Sequence, residues 1–156
     1  MTPDQAQGLK KLLQAQDVAA LGTLHRGEPF VSMVPYALLA DGRLVIHVSQ
    51  LATHTRDMQE HAGVSVMVLG ARAPDALPQE QPRASLQGVA QPCREDAAEY
   101  AAARQAYLAR FPHSEEMFGF GDFWLVLITP RAVRFVAGFA QAWSVTAAEY
   151  AALMAG

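Results

Sequence analysis

The sequence predicts an α+β fold, a mainly antiparallel small β-barrel with flanking helices. Three observations predict it. About seven short apolar runs recur along the 156 residues. Most are joined by tight-turn signals, which favours antiparallel neighbours. Two longer helical periods flank them, and closing so many short strands into a barrel removes exposed edges. The length suits one domain, 1–156, and 51% hydrophobic with 17% charged residues is enough apolar material for a core.

The chain opens with a helix over about 3–16. Thr2 can cap it, Pro3 fits its first position and Asp4 suits its positive end. Leu9, Leu12 and Leu13 form its apolar stripe. Val18 to Leu24 reads as a first strand, and the turn cluster His25-Arg26-Gly27-Glu28-Pro29 leads into a second, Phe30 to Leu39. Pro35 marks that strand as an edge or a bulge. Asp41-Gly42 signals a tight turn before a third strand, Leu44 to Val48. A helix-like stretch from Ser49 closes at Gly63, and Val64 to Leu69 is a fourth strand. Residues 71–82 hold three prolines and no period, which predicts an exposed loop. Arg83 to Val89 is a fifth strand, and a long helix is predicted over about 94–111. Phe123 to Ile128 and Ala132 to Ala137 read as a hairpin around Thr129-Pro130-Arg131. Thr146 with Glu149 forms a capping box for a last helix.

Several functions are disfavoured. The net charge of −3 offers no basic surplus for a nucleic-acid backbone. No apolar run approaches the roughly 18 residues of a membrane span. The polar start carries no secretory signal, so the sequence predicts a cytoplasmic protein. Cys93 alone excludes an internal disulfide and a Cys-rich zinc site, and reads as a half-buried thiol near a strand end. His47, His54 and His61 recur every seven residues. On a helix that is a rise of about 10.5 Å, too far for two nitrogens to share an ion. No metal site is predicted, and no dinucleotide, Walker, metalloprotease or nucleophile-elbow motif is present.

The informative segment is Leu44 to Asp57, LVIHVSQLATHTRD. A strand ends, Ser49 supplies a hydroxyl, and a helical turn follows with Thr53, His54, Thr55 and Arg56. A helix start with such donors suits an anion. Plain capping by Ser49 or Thr53, with Arg56 in water, explains the same residues. Ser32 and Met33, before Pro35, and Arg83, opening the fifth strand, could serve as ligand contacts, though taken singly an ordinary strand position explains each of them better.

The segments FVSMVPYAL, GRLVIHVSQLATHTRDM, GVSVMVL and PRASLQGVA, in that order, resemble the FMN-binding split barrel of the pyridoxamine 5'-phosphate oxidase-like superfamily. The pattern Ser49-Gln50-Leu51-Ala52-Thr53-His54-Thr55-Arg56-Asp57 is most similar to the superfamily's haem-utilisation branch, as is the run from Arg134 to Ala142. The resemblance covers about residues 15–145. It implies a homodimer with two FMN sites at the subunit interface. Ser32, Met33 and Val34 would run along the flavin ring, and Val48 and Ser49 would touch the ring or ribityl chain. His54, Thr55 and Arg56 would hold the phosphate, Arg83 would add a polar contact, and Phe139 and Trp143 would come from the partner. The implied function is a flavoprotein oxidoreductase acting on a small molecule, with no catalytic residue evident. The alternative is a haem- or flavin-binding protein of haem utilisation, storage or sensing, without turnover.

Overall fold

The computed structural model describes residues 1–156. Its element order is α1 (Pro3–Ala15), β1 (Val18–His25), β2 (Glu28–Pro35), β3 (Ala37–Leu38), β4 (Leu44–Ser49), α2 (Thr53–Glu60), β5 (Gly63–Leu69), β6 (Arg83–Cys93), α3 (Tyr100–Arg110), β7 (Phe123–Gly138), β8 (Gln141–Thr146) and α4 (Ala147–Ala155). The strands form one antiparallel sheet in the order β2-β1-β5-β6-β7-β4-β3, with β8 also on β7. The sheet curls into a split barrel rather than a closed one. β2 is an edge strand, which is why it tolerates Pro29 and Pro35.

The predicted caps are present. Thr2 and Gln5 form a capping box on α1, and Thr146 and Glu149 form another on α4. Four elements differ from expectation. The strand predicted over Phe30 to Leu39 is two: β2 ends at Pro35, and β3 leaves it to pair with β4 at the other end of the sheet order. The helix predicted over 94–111 is helical only from Tyr100. Strand β6 runs on to Cys93, pairing Gln91, Pro92 and Cys93 with β7, and this ladder overrides helix propensity. Pro92 lies beyond the last β5 partner, so its missing N–H costs no bond on that side. No hairpin turns at Thr129-Pro130-Arg131. β7 is one 16-residue strand that passes through a bulge opposite Gln87 and Gly88. The bulge accommodates a proline inside a strand. Residues 141–146, which carried no strand prediction, pair with β7 as β8.

The main core is a 24-residue cluster between the inner sheet face, α1 and α4. Leu9, Leu12 and Leu13 are the buried face of α1, as the stripe predicts. Each fully buried leucine contributes roughly 1.5–3 kcal/mol. Two buried tyrosines are satisfied: the Tyr36 hydroxyl donates to the Leu13 carbonyl at 2.7 Å, and that of Tyr150 to the Gly42 carbonyl at 2.8 Å. Burial pushes the Tyr36 phenol up to about 12. Arg110 of α3 donates to the carbonyls of Gln14, Gln16 and Tyr36, meeting acceptors that the end of α1 leaves open.

A second cluster of eight lies under α3 and includes Cys93, which is fully buried rather than half-buried. The His47 ring stacks on Phe118, with centroids 4.0 Å apart and 12° between planes, and Tyr107 lies edge-on. Its buried Nδ1 has no hydrogen-bond partner. Burial lowers its pKa to about 4, so the folded state favours the neutral ring. Unfolded, it titrates near 6.5. The stability it lends is therefore present above pH 6.5 and lost as pH falls towards 4. His47→Phe is expected to flatten that limb of the stability profile. At pH 7 it should leave stability unchanged or raise it by up to about 1 kcal/mol, since a lone buried polar atom disappears. Thermal melts at pH 7 and 4.5 check this.

No helix is long and apolar enough to cross a membrane.

Candidate functional site

The outer face of the sheet is concave. Residues alternate along β5 and β6 between buried and exposed, so every second side chain faces outward. Pairing registers align these side chains in rows. One row runs Met33, Ala20, Met67, Ser85, Arg134, Ser144, and the next runs Val31, Gly22, Ser65, Gln87, Ala132, Thr146. All of them except Met33 line a concavity of about 1310 Å³. Its floor is made of short side chains. A Cβ at Gly22 would stand 2.4 Å from Ser65 Oγ, so two strands approach there as only glycine allows. Val31, 67% exposed, forms an apolar wall on the β2 side, and Arg131 and Arg134 supply cations on the β7 side.

Helix α2 packs against β1. Asp57 on its second turn is 2% exposed and accepts two hydrogen bonds from β1: Thr23 Oγ1 donates to Oδ2 at 2.9 Å, and His25 Nδ1 lies 2.8 Å from Oδ1. Burial by itself would raise the Asp57 pKa. The bonds from His25 and Thr23 and the charges of His25 and His54 outweigh it and hold the carboxyl below its usual range. Thr23 and His25 read as plain strand and turn positions in the sequence, with no local pattern that links them to Asp57. The trio's one signal was the acidic residue ending the Ser49–Asp57 pattern.

The segment expected to hold an anion is folded mostly onto itself. Thr55 is buried, and its hydroxyl donates to the Ser49 carbonyl at 2.6 Å. Ser49 Oγ accepts from the Leu51 N–H at 3.2 Å, so it caps the turn. Arg56 reaches back to the Leu51 carbonyl at 3.3 Å yet stays exposed. His54 is half-buried; burial lowers its pKa against the opposing charge of Asp57.

The other expected residues scatter. Val34 and Val48 are core residues, so only their backbone could face a ligand. Ser32 lies on the edge strand with its Oγ buried and unpartnered, and Met33 points outward. Arg83 donates to the carbonyls of Gln79 and Gln81 at 3.1 and 3.0 Å, fastening the end of the 71–82 loop. Trp143 packs on Phe135 with centroids 5.9 Å apart, and Phe139 is exposed at the β7–β8 turn. Ser49 lies opposite Phe123 while Arg83 lies opposite Val136, at the other end of β7. That is roughly 40 Å of strand at about 3.3 Å per residue. One copy does not bring these groups together.

The family model for pyridoxamine 5'-phosphate oxidase matches residues 6–137. The chloroplastic heme oxygenase HOZ of Arabidopsis thaliana is 38% identical over 119 residues, 76% of this chain but 35% of that protein. A heme binding protein from Mycobacterium smegmatis superposes with a TM-score of 0.87 at 31% identity, over 97% of this chain and 62% of that one. The chain thus spans about a third of the plant relative and under two thirds of the mycobacterial one. The heme storage protein HutZ of Vibrio cholerae shares the fold, with a TM-score of 0.71 at 21% identity, over 80% of this chain and 89% of that one.

Proposed function

The chain belongs to the pyridoxamine 5'-phosphate oxidase family of split barrels, and from that premise we propose that it binds haem against the concave outer face of its sheet. The observation that carries this reading is the face itself. A flat macrocycle needs a floor without tall side chains, and Ala20, Gly22, Ser65, Ser85 and Ala132 form one. It needs apolar walls, which Val31 and Met67 offer. Its two carboxylates need cations, and Arg131 and Arg134 stand at the margin. When bound, haem supplies an iron centre for storage, sensing or oxygen chemistry. The chain's own part is to seat it, orient it and exclude water.

The concavity exceeds the ~300–1,000 Å³ of an ordinary ligand pocket, and its apolar wall is open to solvent. A second copy laid across the face would cover both wall and ligand, so the protein is a homodimer in this reading. Titrating hemin into purified protein tests the reading. A saturable, red-shifted Soret band is expected. Arg134→Glu should weaken binding about tenfold to a hundredfold, since a charge-assisted bond contributes about 1.5–3 kcal/mol. A spectrum indistinguishable from free hemin at micromolar protein would overturn it.

A second reading has one observation in its favour. The first turn of α2 carries no side-chain cap, and the Arg56 guanidinium is exposed beside it, an arrangement that suits a phosphate. The ligand is then FMN, with Ser49, His54 and Arg56 at its phosphate end and the Ser32 to Val34 strand beside the ring, and the protein is an oxidoreductase. Protein isolated yellow, and bleached of flavin by Arg56→Ala, would favour it. Colourless protein that takes up hemin would reject it.

A further inference from the structure

We infer that Met67 is the side chain of this concavity that meets the haem iron, through its thioether sulfur. The inference rests on the haem reading above and adds to it the residue that ligates the metal.

An iron centre on this face can take a protein ligand only from the residues that line it. Those include no histidine, cysteine, tyrosine, lysine or carboxylate. What they offer is hydroxyls, the amide of Gln87, the guanidiniums of Arg131 and Arg134, and the thioether of Met67. Hydroxyls keep their protons at neutral pH, and a guanidinium has no lone pair to give. An amide oxygen is a hard, weak donor. A thioether is soft, carries no proton and serves haem iron as an axial ligand.

Placement agrees. Met67 stands on β5 between the buried Val66 and Val68, so its side chain points outward, and it is 38% exposed. It shares a row with Ser85 on β6 and Arg134 on β7. Arg134 is therefore two strands away, about 10 Å at the usual strand spacing. A carboxylate held at Arg134 reaches the middle of a porphyrin over a span of that order, which brings the metal to β5. Ala20 and Ser85 flank Met67 in the row, so no tall neighbour competes with the sulfur. The unbranched methionine chain lets the sulfur adjust its height.

The histidines lie elsewhere. His25 follows Leu24, which lines the concavity, so alternation turns its ring to the other side of β1, where Nδ1 lies 2.8 Å from Asp57. His47 stacks on Phe118 under α3. His54, His61 and His113 are absent from the lining.

A neutral sulfur stabilises ferrous iron over ferric, which raises the midpoint potential. A methionine that only walls the cavity has no such effect, and the test separates the two roles. Hemin is added to wild type, Met67→Leu, Met67→His and Met33→Leu. Each is read in both oxidation states by X-ray absorption at the iron edge, resonance Raman and spectroelectrochemistry. Leucine keeps the volume and apolarity of methionine and removes the sulfur. Expected is an iron–sulfur scattering path in ferrous wild type that disappears in Met67→Leu. Ferrous haem should bind Met67→Leu about tenfold more weakly with ferric binding unchanged, which lowers the one-electron midpoint potential by about 59 mV. Met67→His should replace the sulfur path with an iron–imidazole stretch. Met33 shares the row but lies outside the concavity, so Met33→Leu should match wild type.

An unchanged potential in Met67→Leu overturns the assignment and leaves the haem reading standing. So does a loaded ferrous wild type that shows an iron–imidazole stretch or no sulfur path, and so does loss of the path in Met33→Leu instead. Failure of wild type to bind hemin overturns both.

Discussion

Asp57→Ala is expected to lower the unfolding free energy by about 2–4 kcal/mol, because a buried hydrogen bond from Thr23 to an ionised group, ~1.5–3 kcal/mol, and a half-exposed pair with His25, ~0.2–1 kcal/mol, vanish together. The lower half of the range is favoured by the exposure of His25, whose bond competes with water. For a chain of this length that is roughly 5–15 °C in Tm. Helix α2 has only eight residues and no side-chain cap, so little else holds it in place. The loosened region should include the Ser49–Arg56 turn. Amide hydrogen exchange is expected to accelerate in α2 and at the β1 end while β6 and β7 stay protected. Asp57→Asn should cost less, since an amide can accept from Thr23 and keep its place. The pH dependence has a definite sign. Asp57 has a depressed folded pKa, so its stabilisation is present above the ordinary carboxylate range and lost as pH falls below it. Acid titrations of wild type and Asp57→Ala should converge at low pH. Parallel curves from pH 7 to pH 2 would show that the carboxylate is not holding the helix.

Gly88→Ala is expected to be the most damaging single-methyl change in the sheet. Its Cβ would lie 2.5 Å from the Thr129 carbonyl oxygen and 3.1 Å from that residue's carbonyl carbon. Those atoms are backbone, held in the β6–β7 ladder, and cannot rotate away. Overpacking of this kind costs about 1–3 kcal/mol, occasionally more, and the rigid neighbour places it at the upper end. The position matters for function because Gly88 faces the bulge that sets Pro130 and Arg131 in β7. Arg131 and Arg134 take their outward aim from that bulge. Gly88→Ala should therefore lose hemin affinity along with stability. Chemical denaturation with and without hemin measures both. A variant as stable as wild type would mean the two strands separate more freely than this packing implies.

Local signals made much of the fold legible. Thr2, Pro3 and the leucine stripe dictate α1, because a cap and a 3.6-residue period are properties of adjacent residues. The alternation in Val64–Leu69 and Arg83–Val89 dictates strands with one face in and one face out. The hairpin expected at Pro130 does not form, for the opposite reason. Thr-Pro-Arg is a turn by local chemistry, and only pairing with β6 on one side and β4 or β8 on the other keeps the chain extended through it. The long helix failed at its start in the same way: β6 took residues to Cys93 because β7 offered partners.

The sequence by itself determined the class of fold, the caps, the alternation that builds a concave outer face, and the resemblance carried by Ser49–Asp57. Tertiary structure alone decided which of those residues do what. Thr55 turned inward to bond the Ser49 carbonyl, Arg83 turned to its own loop, and Val34 and Val48 went to the core. Asp57 met Thr23 and His25 across more than thirty residues of chain. Spacing along a chain constrains neighbours a few positions apart. A carboxylate on a helix and an imidazole on a distant strand meet only because packing α2 against β1 excludes water between them, and no local pattern encodes that.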